Sequence, residues 1–124
     1  MLLNAGIITE KLSESKSFYT AVLGFQVKFE TDWFLLLHTA THASHELAFM
    51  LPDLPAQQPV FHTAYNGKGI WLTLEVADIK EIYQAVLLKG VTVAVELRDE
   101  PWGEQHFTII DPNGIGVDIV ERYK

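Results

Sequence analysis

The 124-residue sequence contains no cysteine, which removes disulfides, thiolate metal sites, iron–sulfur clusters and cysteine nucleophiles together. Cations are scarce: nine Lys and Arg stand against sixteen Asp and Glu, a formal net charge of −7. Nucleic acid and anionic membranes both need clustered cations, so neither partner is expected, whereas a cationic ligand would be favoured. No apolar run reaches the length of a membrane span. The apolar start, residues 1–8, lacks a basic flank and meets Glu10 and Lys11, so neither a spanning helix nor a signal peptide is expected. The phosphate-binding loop, the dinucleotide fingerprint, the nucleophile elbow and a Ser-His-Asp order are missing as well. A cytoplasmic location is the expectation compatible with these absences. A chain of this length is expected to form one domain that buries roughly two-thirds of its unfolded surface without covalent staples.

What the chain does have is concentrated near its end. Residues 101–121 read PWGEQHFTIIDPNGIGVDIVE, two apolar runs at 107–110 and 115–120 separated by Asp111-Pro112-Asn113-Gly114. That pattern predicts a β-hairpin, with Pro112 pre-setting φ in its turn and Asn113 and Gly114 both taking positive φ. Alternation along the second strand puts Gly116, Asp118 and Val120 on one face and Val117 and Ile119 on the other. Asp118 is thus a lone carboxylate in a strand that otherwise looks buried. It must be satisfied by solvent, by donors such as Asn4 or Trp71, or by a cationic ligand.

Upstream, residues 2–8 read as a strand, and Ser13 opens a helix whose apolar stripe is Phe18, Tyr19, Val22 and Leu23. Gly24 ends it. Strands follow at 25–29, 33–38 and 46–51, with a His-rich loop at 39–44. Prolines 52, 55 and 59 punctuate a polar stretch read as a connector. A strand at 70–76 leads to Asp78, an N-cap with Glu81 three residues on. The stripe Ile79, Ile82, Tyr83, Val86 and Leu87 makes a second helix, closed by Lys89-Gly90, and 91–97 is a strand before the hairpin. The order β-α-β-β-β therefore occurs twice, with Phe18-Tyr19 falling on Ile82-Tyr83.

Two motifs carry a resemblance. Ser15-x-x-Phe18-Tyr19-x-x-x-Leu23-Gly24-Phe25, and the PWG segment with its DPNG turn and G-I-G-V-D-I-V-E strand, resemble the vicinal-oxygen-chelate superfamily. This is the group of glyoxalases, bleomycin resistance proteins and ring-cleaving dioxygenases. The resemblance implies an α+β fold of two βαβββ modules forming cupped mixed sheets with helices outside. It divides the single domain 1–124 into module one at 1–54, a connector at 55–68 and module two at 69–124, and it implies a homodimer.

In metal-binding members of that superfamily the ligands come from the first and last strands of each module. Carried onto this chain, the positions fall on Asn4, on Trp71, on Phe49, Met50 or Leu51 depending on register, and on Asp118. Only Asp118 is a good ligand, and a divalent centre needs about three protein donors or more. No metal, no other cofactor and no catalytic residue are therefore expected. His38, His42 and His45 straddle a loop and lose the helical spacing that aims two rings at one ion, so they read as solvated. His106 reads as a hydrogen-bonding wall.

With the metal removed, aromatic surface remains. Trp33, Trp71 and Trp102, with Phe49 and Phe107, are placed by the resemblance to line or rim the sheets, although Trp71 reads equally well as core. The favoured function is a small-molecule-binding protein of the bleomycin-resistance type, not an enzyme. It would hold a flat or cationic ligand with Asn4, Trp33, Phe49, Trp71, Trp102, His106 and Asp118. The alternatives are a metal-dependent lyase or dioxygenase of the same superfamily with atypical ligands, and a dimerisation or regulatory module.

Overall fold

The structure, a computed structural model, describes residues 1–123. The chain forms two compact units, Met1–Asn66 and Gly67–Lys124. In the first, β1 (Ala5–Ile8), α1 (Leu12–Ser17), β2 (Gln26–Glu30), β3 (Phe34–His38) and β4 (Glu46–Met50) build a four-stranded sheet in the order β1-β4-β3-β2. In the second, β5 (Trp71–Glu75), α2 (Ile79–Leu87), β6 (Thr92–Glu100), β7 (Glu104–Ile110) and β8 (Gly116–Arg122) repeat that plan in the order β5-β8-β7-β6. The outer pairs β1/β4 and β5/β8 are parallel and the others antiparallel, so both sheets are mixed and open. Much of 55–68 folds with the first unit: Pro59–Phe61 forms a 3₁₀ turn, and the Tyr65 amide donates to the Ile8 carbonyl at 2.8 Å. Among the described residues no helix is long and apolar enough to cross a membrane.

Alternation decides which sheet face each helix covers. In the first unit Leu35, Leu37, Leu47 and Phe49 point to the helix side and are buried. Tyr19, fully buried, sits edge-on to Phe25 and against Phe49, each at 5.4 Å between ring centres. The first helix is not the continuous one its stripe predicts, because α1 gives way at Phe18–Val22 to a π turn. The Thr20 hydroxyl donates to the Lys16 carbonyl at 2.7 Å at that switch, so it competes for an acceptor of the helical ladder. Gly24, at φ 74°, then closes the turn as expected.

In the second unit Ile79 and Val86 of α2 pack over Phe107, Ile109, Val117 and Ile119, all essentially inaccessible. The Asp78 carboxylate accepts from the Glu81 amide at 3.2 Å, which makes the expected cap real. The hairpin forms, but only Gly114 takes positive φ, at 82°. Asn113 does not need to, because Asp111 closes the connection with its side chain, accepting from the Asn113 and Ile115 amides at 2.8 and 2.9 Å. β6 runs to Glu100, three residues past the predicted strand. Register shifts between Val93 and Arg98 bring Arg98 opposite His106 and Glu100 opposite Glu104.

Candidate functional site

The open face of the second sheet, away from α2, carries an ionic cluster. Asp118 stands opposite Thr108 of β7 on one side and Thr73 of β5 on the other. Its Oδ1 accepts from the Thr108 hydroxyl at 3.0 Å and lies 2.7 Å from His106 Nδ1. The other ring nitrogen of His106, Nε2, lies 2.8 Å from Glu100 Oε2, which also meets Arg98 Nε at 3.1 Å. The three central side chains are largely covered, with 16% of His106, 12% of Glu100 and 20% of Asp118 exposed. Burial by itself would lower the His106 pKa. The hydrogen bonds and negative charges of Asp118 and Glu100 outweigh it and hold the imidazole above its ordinary 6.5.

Asp118 is therefore satisfied within the second unit, by His106 and Thr108. Asn4 is exposed and precedes β1 in the first unit. The Trp71 indole N–H donates to Thr73 Oγ1 at 2.9 Å. Trp71 is two-thirds exposed, so its reading as core does not hold. Trp102 is similarly exposed in the β6–β7 turn, its N–H donating to Glu104 Oε1 at 2.6 Å.

In the first unit the matching face is apolar from Ala48 to Met50, with His38 and the Lys28–Glu46 ion pair confined to its far end. A cleft of about 510 Å³ is lined by Gly6, Ile7, Phe29, Trp33, Phe34, Ala48, Met50, Gln57 and Phe61. Phe34 lies 5.7 Å from Trp33 and 6.3 Å from Phe29 between ring centres. A Cβ on Gly6 would meet no atom within 4 Å, so the floor opens into free space. Trp33 thus lines a cleft. Phe49 does not: it is fully buried on the opposite, helix-covered face, and its neighbour Ala48 faces the cleft instead. Phe107 is likewise core, 4.8 Å from Tyr83.

The donor set does not fit a catalytic divalent ion. The positions that the resemblance assigns to ligands hold Asn4, Trp71 and Asp118, with Ala48 at the cleft-facing position of β4. Two of these cannot ligate through their side chains, and the Asp118 oxygen nearest the strand's neighbours is already engaged. Among the described residues no three His, Asp or Glu side chains converge on one point. His42 and His45 stack with ring centres 4.8 Å apart and planes 10° apart, which turns their nitrogens alongside rather than toward a common centre.

Glu100, Thr108, Thr73 and Arg98 were not singled out by the sequence. Thr108 was within reach, since the DPNG turn fixes it opposite Asp118. Glu100 was not, because its alignment with His106 depends on shifts in β6.

Comparison with known proteins bears on the whole chain. The sequence model of the Glyoxalase/Bleomycin resistance protein/Dioxygenase superfamily matches residues 2–119. No curated protein matches in sequence. Among solved structures, a glyoxalase/bleomycin resistance protein/dioxygenase from Nocardioides superposes with a TM-score of 0.78 at 18% identity, covering 100% of this chain and 84% of that one. A member of the same superfamily from Sphaerobacter thermophilus gives 0.75 at 24% identity, covering 98% and 97%. A lactoylglutathione lyase from Agrobacterium tumefaciens gives 0.77 at 17% identity, covering 98% and 92%. At such identities the likeness reaches the fold alone.

Proposed function

Because the chain belongs to the Glyoxalase/Bleomycin resistance protein/Dioxygenase superfamily, we propose that it is a small-molecule-binding protein of the bleomycin-resistance type. In this reading it works without a catalytic metal and holds a flat ligand against the aromatic wall of its first unit. The observation that carries the reading is the cleft of about 510 Å³ walled by Phe29, Trp33, Phe34 and Phe61. That volume suits a drug-sized molecule. The small side chains of Gly6 and Ala48, paired across β1 and β4, leave a level floor on which a planar ring system can lie.

Ring faces attract flat apolar molecules by area and stacking, and planar cations by the ring quadrupole as well. No carboxylate lines the cleft, so a cationic ligand would be held through the rings rather than through an ion pair. Gln57 is the one polar side chain in the lining and supplies an orienting hydrogen bond.

The test is a screen of planar neutral and planar cationic aromatic compounds by Trp fluorescence and by NMR of the Trp33 indole. Binding is expected to perturb Trp33, and Gly6→Leu, whose Cβ meets no atom within 4 Å, is expected to weaken it at least tenfold while the fold persists. Hits that bind equally well to Gly6→Leu, or no hit at millimolar concentration, would defeat the reading.

A further inference from the structure

The ionic cluster of the second unit is not used by the proposed ligand cleft, and its geometry asks where its protons are. Both nitrogens of the His106 ring lie within hydrogen-bond distance of a carboxylate oxygen, Asp118 at 2.7 Å and Glu100 at 2.8 Å. A neutral imidazole has one N–H and one bare lone pair, so it can donate to only one of them. The other contact would then set two lone pairs against each other unless a carboxyl carried the proton. Both carboxylates also accept from a further donor, the Thr108 hydroxyl on Asp118 and the Arg98 guanidinium on Glu100, so each is surrounded by donors alone.

We infer that His106 is held as an imidazolium between Glu100 and Asp118, and that this fixed internal cation occupies the electrostatic role that the resemblance assigns to a metal beside Asp118. The site is closed to divalent ions because its counter-charge is already built into β7. Counting Glu100, Asp118, His106 and Arg98, the cluster is neutral, so it neither recruits a cationic ligand nor repels an anionic one. The bridge also ties the end of β6 to β8 across β7, which fixes the strand that leads into the Pro101-Trp102-Gly103 turn. Glu104 and Arg122, paired at 3.6 Å on the same face, and Glu75, bonded to Arg122 at 2.7 Å, satisfy one another outside the bridge.

Long-range ¹H–¹⁵N NMR of the wild-type imidazoles at pH 7 reads the charge directly. A free imidazole is about three-quarters neutral at that pH, whereas His106 is expected to show two protonated nitrogens. One bare nitrogen would overturn the inference, whether the missing proton is in solvent or on Glu100. Calorimetry with Mn²⁺, Ni²⁺ and Zn²⁺ supplies the second measurement. Expected is either no uptake or an uptake that Asp118→Asn leaves unchanged; uptake that Asp118→Asn abolishes would overturn the inference. Finally, His106→Gln removes the internal cation and leaves the cluster with one net negative charge, Arg98 still standing on Glu100. Its melting temperature is expected to rise with added Mn²⁺ while that of the wild type does not, and the same response in both proteins counts against the bridge. None of these readouts involves the aromatic cleft, so their failure would leave the proposed ligand site untouched.

Discussion

Position by position, the two units have the same sheet and opposite chemistry on its open face. Gly6 and Ala48 pair across β1 and β4 where Thr73 and Asp118 pair across β5 and β8. Leu36 faces Ala48 where Thr108 faces Asp118, and Phe34 faces Met50 where His106 faces Val120. One face is thus an aromatic cleft and the other a hydrogen-bonded ionic ladder. The helix-covered faces, by contrast, are alike: Leu35, Leu47 and Phe49 in one unit do what Phe107, Val117 and Ile119 do in the other. The fold is specified by the faces that exclude water, where close packing penalises any change of volume or polarity. The open faces are free to diverge, and the difference between the units lies there.

The largest effect should come from the shared, hidden side of that comparison. Phe49→Ala and Phe107→Ala each delete a fully buried ring and are expected to cost about 3–5 kcal/mol in urea unfolding. If one were tolerated and the other not, the units would not be equivalent frames.

A smaller and one-sided effect is expected on the open faces. His106→Gln gives up charge-assisted bonds to two carboxylates and should cost on the order of 2 kcal/mol near pH 6. The cost should itself depend on pH. Because the folded pKa of His106 is raised above 6.5, its contribution is fully present below the unfolded value and is lost as pH rises through the folded value. Denaturation curves of wild type and His106→Gln from pH 6 to pH 9 are therefore expected to converge toward the alkaline end. A gap that widens with pH would reverse the sign and disprove the bridge. In the first unit Phe34 stands in the place of His106.

The smallest effect is expected at Trp71. Its ring is exposed and its single bond is a local one to Thr73, so Trp71→Phe should shift stability by about 0.5 kcal/mol or less. A loss several times larger, measured in the same urea experiment, would show that the ring is buried in solution and that the open face of the second unit is not open.

Much of this was legible in the residues themselves. The two β-α-β-β-β runs, Asp78 as a cap, Gly24 and Gly90 as helix ends and the DPNG hairpin all rest on interactions within a few residues, which sequence spacing expresses directly. The placement of Asp118 on the face opposite Val117 and Ile119 also followed from alternation alone.

Tertiary structure decided the rest, and the reason is register. A strand slipped by one residue turns every side chain to the other face, so Phe49 could be read as a cleft residue when the cleft belongs to its neighbour Ala48. Shifts within β6 likewise carried Glu100 onto the face of His106, and no local pattern announces a bulge. Asp118 needed a partner by its own chemistry, but which partner it found depended on strand pairings between residues far apart in the chain. The sequence determined that a carboxylate had to be satisfied; the pairing of β6, β7 and β8 determined that His106 satisfies it.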